Sequence, residues 1–128
     1  MVKSITKGVE VSVESNYLAS HSNPVQQHFF FSYTITIRNN GPKTIQLLRR
    51  HWNIFDSLSE PRIVDGEGVV GETPLLESGE VFQYNSGCNL SSEIGFMEGH
   101  YLFQDLSDES FFEVEIPRFI LVTPFKLN

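Results

Sequence analysis

The sequence predicts an all-β fold, an antiparallel β-sandwich of seven to eight strands. Three observations carry that expectation. Apolar and polar residues alternate with period two in several segments. Clusters of Gly, Pro, Asn and Asp separate those segments at short intervals. No window shows helical periodicity with caps.

Val9, Val11 and Val13 alternate with Glu10 and Ser12, a strand with one wet face. From Phe29 to Arg38 the residues Phe29, Phe31, Tyr33, Ile35 and Ile37 share one face, the clearest strand of the chain. Asn39-Asn40-Gly41-Pro42 then forms a turn. A third strand runs from about Thr44 to Phe55, with Trp52 continuing an inward stripe from Leu48 to Ile54. Asp56 to Pro61 connects it to a return through Arg62-Ile63-Val64. Glu80 to Ser86 and Phe96 to Leu106 are further strands, the second closed by a polar turn at Ser107–Ser110. In the last strand Phe112, Val114 and Ile116 alternate with Phe111, Glu113 and Glu115, and Pro117 marks an edge or a bulge. Strands of this number and spacing point to a sandwich of immunoglobulin or fibronectin type III kind. No repeat or linker interrupts the 128 residues, which read as one domain, 1–128.

Composition narrows the function classes. Nine Lys and Arg against 16 Asp and Glu give a formal net charge of −7. As a whole such a chain repels nucleic acid and anionic membranes, so neither is an expected partner. The single cysteine, Cys88, excludes an internal disulfide and fits a reducing compartment. The N-terminal segment lacks an apolar signal core, and Phe119-Ile120-Leu121-Val122 is too short to span a bilayer. A cytoplasmic location is expected.

Gly66-Glu67-Gly68-Val69-Val70-Gly71 has the Gly-x-Gly-x-x-Gly spacing of a dinucleotide loop. That loop works where it joins a parallel strand to a helix whose N-terminus faces the pyrophosphate. Here Pro74 disfavours a helix at Thr73 and Gly79 cuts one off. Two readings stay open. The glycines supply positive φ in a tight loop, or their amides form a nest that holds an anion. For the second, the candidate anion- or pyrophosphate-binding residues are Gly66, Gly68 and Gly71 with Arg50 and His51, members of the only basic cluster, Arg49–Trp52. Asp65, Glu67 and Glu72 oppose it. Arg50 falls on the inward stripe and is expected to reach the rim or to pair with a carboxylate.

No catalytic set emerges, and a non-enzyme is expected. His21, His28, His51 and His100 have no metal-ligand spacing, so a divalent metal would need separate strands to converge. No cofactor motif is present. Cys88, in the turn-like Ser86-Gly87-Cys88-Asn89, reads as a small buried hydrophobe.

Several motifs occur in one order: Arg50-His51-Trp52-x-Ile54-x-Asp56, Gly66-x-Gly68-Val69-Val70-Gly71-x-x-Pro74-x-Leu76, Gly79-Glu80-x-Phe82-x-Tyr84-x-Ser86, Gly95-x-Met97-x-Gly99-x-Tyr101 and Phe112-x-Val114-x-Ile116-Pro117-x-Phe119. Through them the chain resembles the bacterial ApaG family over nearly its full length. The resemblance implies a fibronectin type III-like sandwich that acts as a protein-interaction module. Its partner would be another protein, or a second copy in a homodimer. It also implies a link to cobalt and magnesium efflux and a glycine motif likened to a pyrophosphate loop. The chain departs from the family at Ser78 and at Ser92-Glu93, changes expected to alter turn stiffness without touching a chemical group.

Overall fold

The computed structural model describes residues 1–127. Nine strands follow in chain order: β1 (Val2–Thr6), β2 (Val9–Tyr17), β3 (Phe29–Asn39), β4 (Ile45–Asp56), β5 (Arg62–Glu67), β6 (Leu75–Leu76), β7 (Val81–Leu90), β8 (Ile94–Asp105) and β9 (Phe111–Val122). One sheet has the order β1-β2-β3-β7 and the other β5-β4-β8-β9, with the short β6 also paired to β4. All pairs are antiparallel. The two sheets pack face to face as an immunoglobulin/fibronectin type III-like sandwich.

Period-two alternation sends one row of each strand inward. Val9, Val11 and Val13 meet Phe31, Tyr33, Ile35 and Ile37, and across the gap lie Trp52, Ile54, Met97, Tyr101, Phe103, Val114 and Ile116. At the centre the Tyr84 and Tyr101 hydroxyls, both buried, bond to each other at 2.6 Å. Burial pushes both phenols up, so both are neutral across the physiological range. Tyr101→Phe is expected to cost about 1–2 kcal/mol by leaving the Tyr84 hydroxyl unpartnered. The double Tyr84→Phe/Tyr101→Phe variant should be less destabilised than the sum of the singles, as read by urea unfolding.

One bulge corrects the strand reading, and a second falls where Pro117 marks it. Leu47 faces Phe103 but Arg49 faces Leu102, so Leu48 is an extra residue in β4. The inward row therefore passes from Ile45 and Leu47 to positions 50, 52 and 54, and Leu48 does not begin that stripe. In β9, Pro117 and Arg118 are accommodated between Ile116 and Phe119, opposite the single residue Glu98. The strand then continues to Val122, well past the proline. Ser86–Asn89 lies within β7 and is not a turn.

The edges are managed unequally. The outer backbone of β9 is covered by β1 and β2: Ser4 Oγ donates to Glu115 O at 3.0 Å, Glu115 N donates to Thr6 Oγ1 at 3.2 Å, and Ser15 Oγ donates to Ile120 O at 3.4 Å. β5 is paired to β4 on one side and lies at the end of its sheet on the other.

Candidate functional site

The β4–β5 ladder sets Arg50 opposite Gly66. A Cβ on Gly66 would stand 2.8 Å from the Arg50 guanidinium, so the side chain lies directly on the glycine. Arg50 Nη1 donates to the carbonyls of Glu67 at 3.0 Å and Gly68 at 2.9 Å. Arg50 thus pairs with backbone carbonyls, where the sequence led to a carboxylate or the rim; no carboxylate lies within ion-pair distance among the described residues.

The other glycines of the motif have different tasks. Gly68 has φ +61°, and a Cβ there would meet Glu72 O at 2.1 Å. Val70 (φ +43°) and Gly71 (φ +80°) reverse the chain, closed by Val69 N to Glu72 O at 2.8 Å and Glu72 N to Val69 O at 2.9 Å. Positive φ at both central residues is what a type I′ turn requires. Gly68 N donates to the carbonyl of the bulge residue Leu48 at 2.8 Å, and Val69 fills the core below. The structure therefore brings Gly66, Gly68 and Arg50 together. It leaves Gly71 at an open tip, and it places His51, one residue along β4 from Arg50, on the opposite face of the sheet. The amides of Gly68, Val69 and Glu72 are engaged within the chain, and the depression at the tip is lined by Glu67, Glu72 and Thr73.

On the outer face His51 Nδ1 donates to Asp65 Oδ1 at 2.6 Å. The His51 ring stacks on His100 with centroids 4.8 Å apart, and His100 Nε2 lies 3.1 Å from Glu113 Oε2. An acid–His–His–acid row thus crosses β5, β4, β8 and β9. Sequence reading missed it, because the two histidines are 49 positions apart in the chain and only the β4–β8 register joins them. Among the described residues no group of three or more His, Cys, Asp or Glu side chains is arranged to hold a metal ion.

A lateral cleft of about 270 Å³ opens between β5 and β7, with Tyr33, Trp52 and Cys88 on its walls. Arg62 crosses it, donating from Nη2 to Asn89 O at 2.7 Å and lying 3.5 Å from Cys88 Sγ. Burial raises the Cys88 thiol above its ordinary value, while the charge and hydrogen bond of Arg62 pull it down. A buried thiol with a raised pKa is a poor nucleophile.

On the outer face Phe55, Phe96 and Ile120 form an apolar row across β4, β8 and β9, and Ile63 stands on β5 opposite Asn53. Ile63 is 67% exposed on β5 and Phe55 is 41% exposed on β4. Phe55 stacks on Phe96 at 5.0 Å, Phe96 is in register with Ile120, and the Arg118 guanidinium lies 4.0 Å above the Phe96 ring. Glu98 holds Arg118 in place through two hydrogen bonds of 3.0 and 3.1 Å. No helix among the described residues is long and apolar enough to cross a membrane.

The sequence profile of the ApaG domain matches residues 19–105. Protein ApaG of Methylobacterium radiotolerans is 44% identical over 124 residues, covering 97% of this chain and 95% of that protein. Protein ApaG of Brucella anthropi is 46% identical over the same span. A crystal structure of an ApaA protein from Bordetella pertussis superposes with a TM-score of 0.87 at 42% identity, covering 91% of this chain and 94% of that one.

Proposed function

The chain belongs to the ApaG family, and on that premise we propose that it is a non-enzymatic binding module that engages a protein partner along β5. The observation that carries this reading is an open sheet edge flanked by exposed apolar side chains of the same sheet. The unpaired backbone groups of β5 are a template for an added strand. Ile63 stands exposed on β5 itself, the row Phe55, Phe96 and Ile120 crosses the same outer face at the next register of β4, β8 and β9, and Arg118 on Phe96 adds the aromatic–arginine chemistry typical of interface anchors. Main-chain pairing supplies affinity and the row supplies selectivity. A second copy of the chain is the other occupant that fits the same edge. The lone buried thiol suits a reducing, cytoplasmic setting.

The test is capture of partners by the folded chain at moderate salt, with variants scored on any protein retained in near-stoichiometric yield. Ile63→Lys and Phe55→Ser should each weaken retention at least about tenfold, the effect of losing one buried anchor of roughly 1.4 kcal/mol. Ile5→Ser, on the far sheet, should leave it unchanged. Retention indifferent to both edge variants, or no stoichiometric partner together with a monomer at all concentrations in sedimentation, would sink the reading.

A further inference from the structure

Another cavity lies at the end of the sandwich where β4 begins, far from Phe55. Three connections meet there: the β1–β2 turn at Lys7-Gly8, the β3–β4 loop through Pro42 and the β8–β9 turn. Its volume is about 400 Å³, inside the range of small-molecule sites. Val9, Ile45 and Phe112 form an apolar floor, and Lys7, Lys43 and Phe111 stand at the rim. Phe111, which also lines the cleft at the start of β9, is 61% exposed.

The walls are built before any ligand arrives. The Asn39 side chain is buried and donates to Lys43 O at 2.8 Å and Leu76 O at 3.0 Å, while its oxygen accepts from Gly41 N at 3.1 Å. Asn40 N donates to Gly8 O at 2.9 Å, joining two of the three connections. Phe112 stacks on Phe103 at 5.8 Å.

Charge singles out the rim. Lys7 has φ +49°, a left-handed conformation in a two-residue turn where Asn or Gly is the favoured choice. A lysine is held there against its preference, and its ammonium lies 5.8 Å over the Phe112 ring with no carboxylate in ion-pair distance among the described residues. Lys43 Nζ is 3.4 Å from Asp105 Oδ2. Asp105 also accepts from Ser107 N and Oγ, and Asp108 accepts from Ser110. Two ammonium groups thus face one lining carboxylate, in a protein whose net charge is −7.

We propose that this cleft binds a small amphipathic anion, an aromatic or short aliphatic body with one anionic head group. The body lies on Val9, Ile45 and Phe112 under Phe111, and the head group pairs with Lys7 and Lys43. The site shares no residue with the β5 edge, so each stands or falls alone.

The test uses 8-anilinonaphthalene-1-sulfonate and its uncharged counterpart N-phenyl-1-naphthylamine, with heteronuclear NMR mapping on the folded chain. The sulfonate should bind one per chain and shift the amides around Lys7, Lys43 and Phe111. Lys7→Asn suits the left-handed turn better than lysine and so keeps the fold. It should weaken the sulfonate about tenfold and leave the neutral probe unchanged, whereas Phe111→Ser should weaken both. Octanoate and phenyl phosphate should compete, the stronger competitor identifying the head group. Equal sulfonate affinity in Lys7→Asn, shifts mapping away from these connections, no binding of either probe, or no displacement by either competitor would each overturn the proposal.

Discussion

Gly99→Ala is expected to remove a large part of the stability of the fold. A Cβ at Gly99 would stand 1.9 Å from His51 O, 2.9 Å from its carbonyl carbon and 3.2 Å from the Trp52 Cα. All three are backbone atoms of β4, the strand paired with β8 at this point. No rotamer relieves such an overlap, so the two central strands must part. Parting them displaces Trp52, which is buried against Tyr33 and Phe119. A cost above about 4 kcal/mol follows from this combination of broken ladder and disturbed core. Domains have only about 5–15 kcal/mol in total. Gly79→Ala is the control: it has φ +85° but open space around the added atom, and should cost only about 1 kcal/mol. Urea unfolding and near-ultraviolet circular dichroism of the two variants make the comparison. A Gly99→Ala protein with the wild-type midpoint would contradict the β4–β8 approach described above.

Asp56→Ala should be the next most damaging change, and the one that alters acid stability. Asp56 ends β4, is 4% exposed, and accepts from Ser91 N at 2.7 Å, Ser91 Oγ at 2.8 Å, Ser92 Oγ at 2.6 Å and Leu58 N at 3.3 Å. The carboxylate thereby ties the β4–β5 connection to the β7–β8 turn. Its loss leaves several donors without an acceptor, at a cost of about 3 kcal/mol. Burial alone would push the Asp56 carboxyl up, but the hydrogen bonds from Ser92, Ser91 and Leu58 outweigh it and hold the group below its usual value. The unfolded chain therefore takes up the proton first as pH falls. The stabilisation is complete above the unfolded carboxylate value of about 3.9 and is lost as pH drops through the lower folded value. Wild-type unfolding midpoints should fall in that acidic window, and those of Asp56→Ala should fall less steeply. Equal acid slopes in the two proteins would refute the assignment. The same network gives Ser92 a role that the sequence did not suggest: it is a buried hydroxyl donor, more than an element of turn stiffness.

Much of the fold was legible because alternation is a local property. The inward row of β3 follows directly from Phe29, Phe31, Tyr33, Ile35 and Ile37. Pro117 announced its bulge, since a residue without an amide hydrogen cannot continue the ladder. β1 escaped notice because Val2–Thr6 is short and largely polar on one side and exposed on much of the other. The slip at Leu48 also escaped. Leu47 and Leu48 are both apolar, so nothing in the residue types marks which of them leaves the row.

The glycine motif divides along the same line. The sequence by itself determined that Gly66–Gly71 could not open a helix, and left open whether its glycines supply positive φ in a tight loop or a nest for an anion. The first follows from Pro74 and from Gly79. Only the tertiary structure decided that Arg50 lies on Gly66 and bonds to the carbonyls of Glu67 and Gly68, that His51 turns instead to Asp65 and His100, and that β9 is covered while β5 is left open. Each of these depends on strand register and sheet order. Register fixes which residues far apart in the chain face each other, and it is set by the packing of the whole core and by the bulges within it.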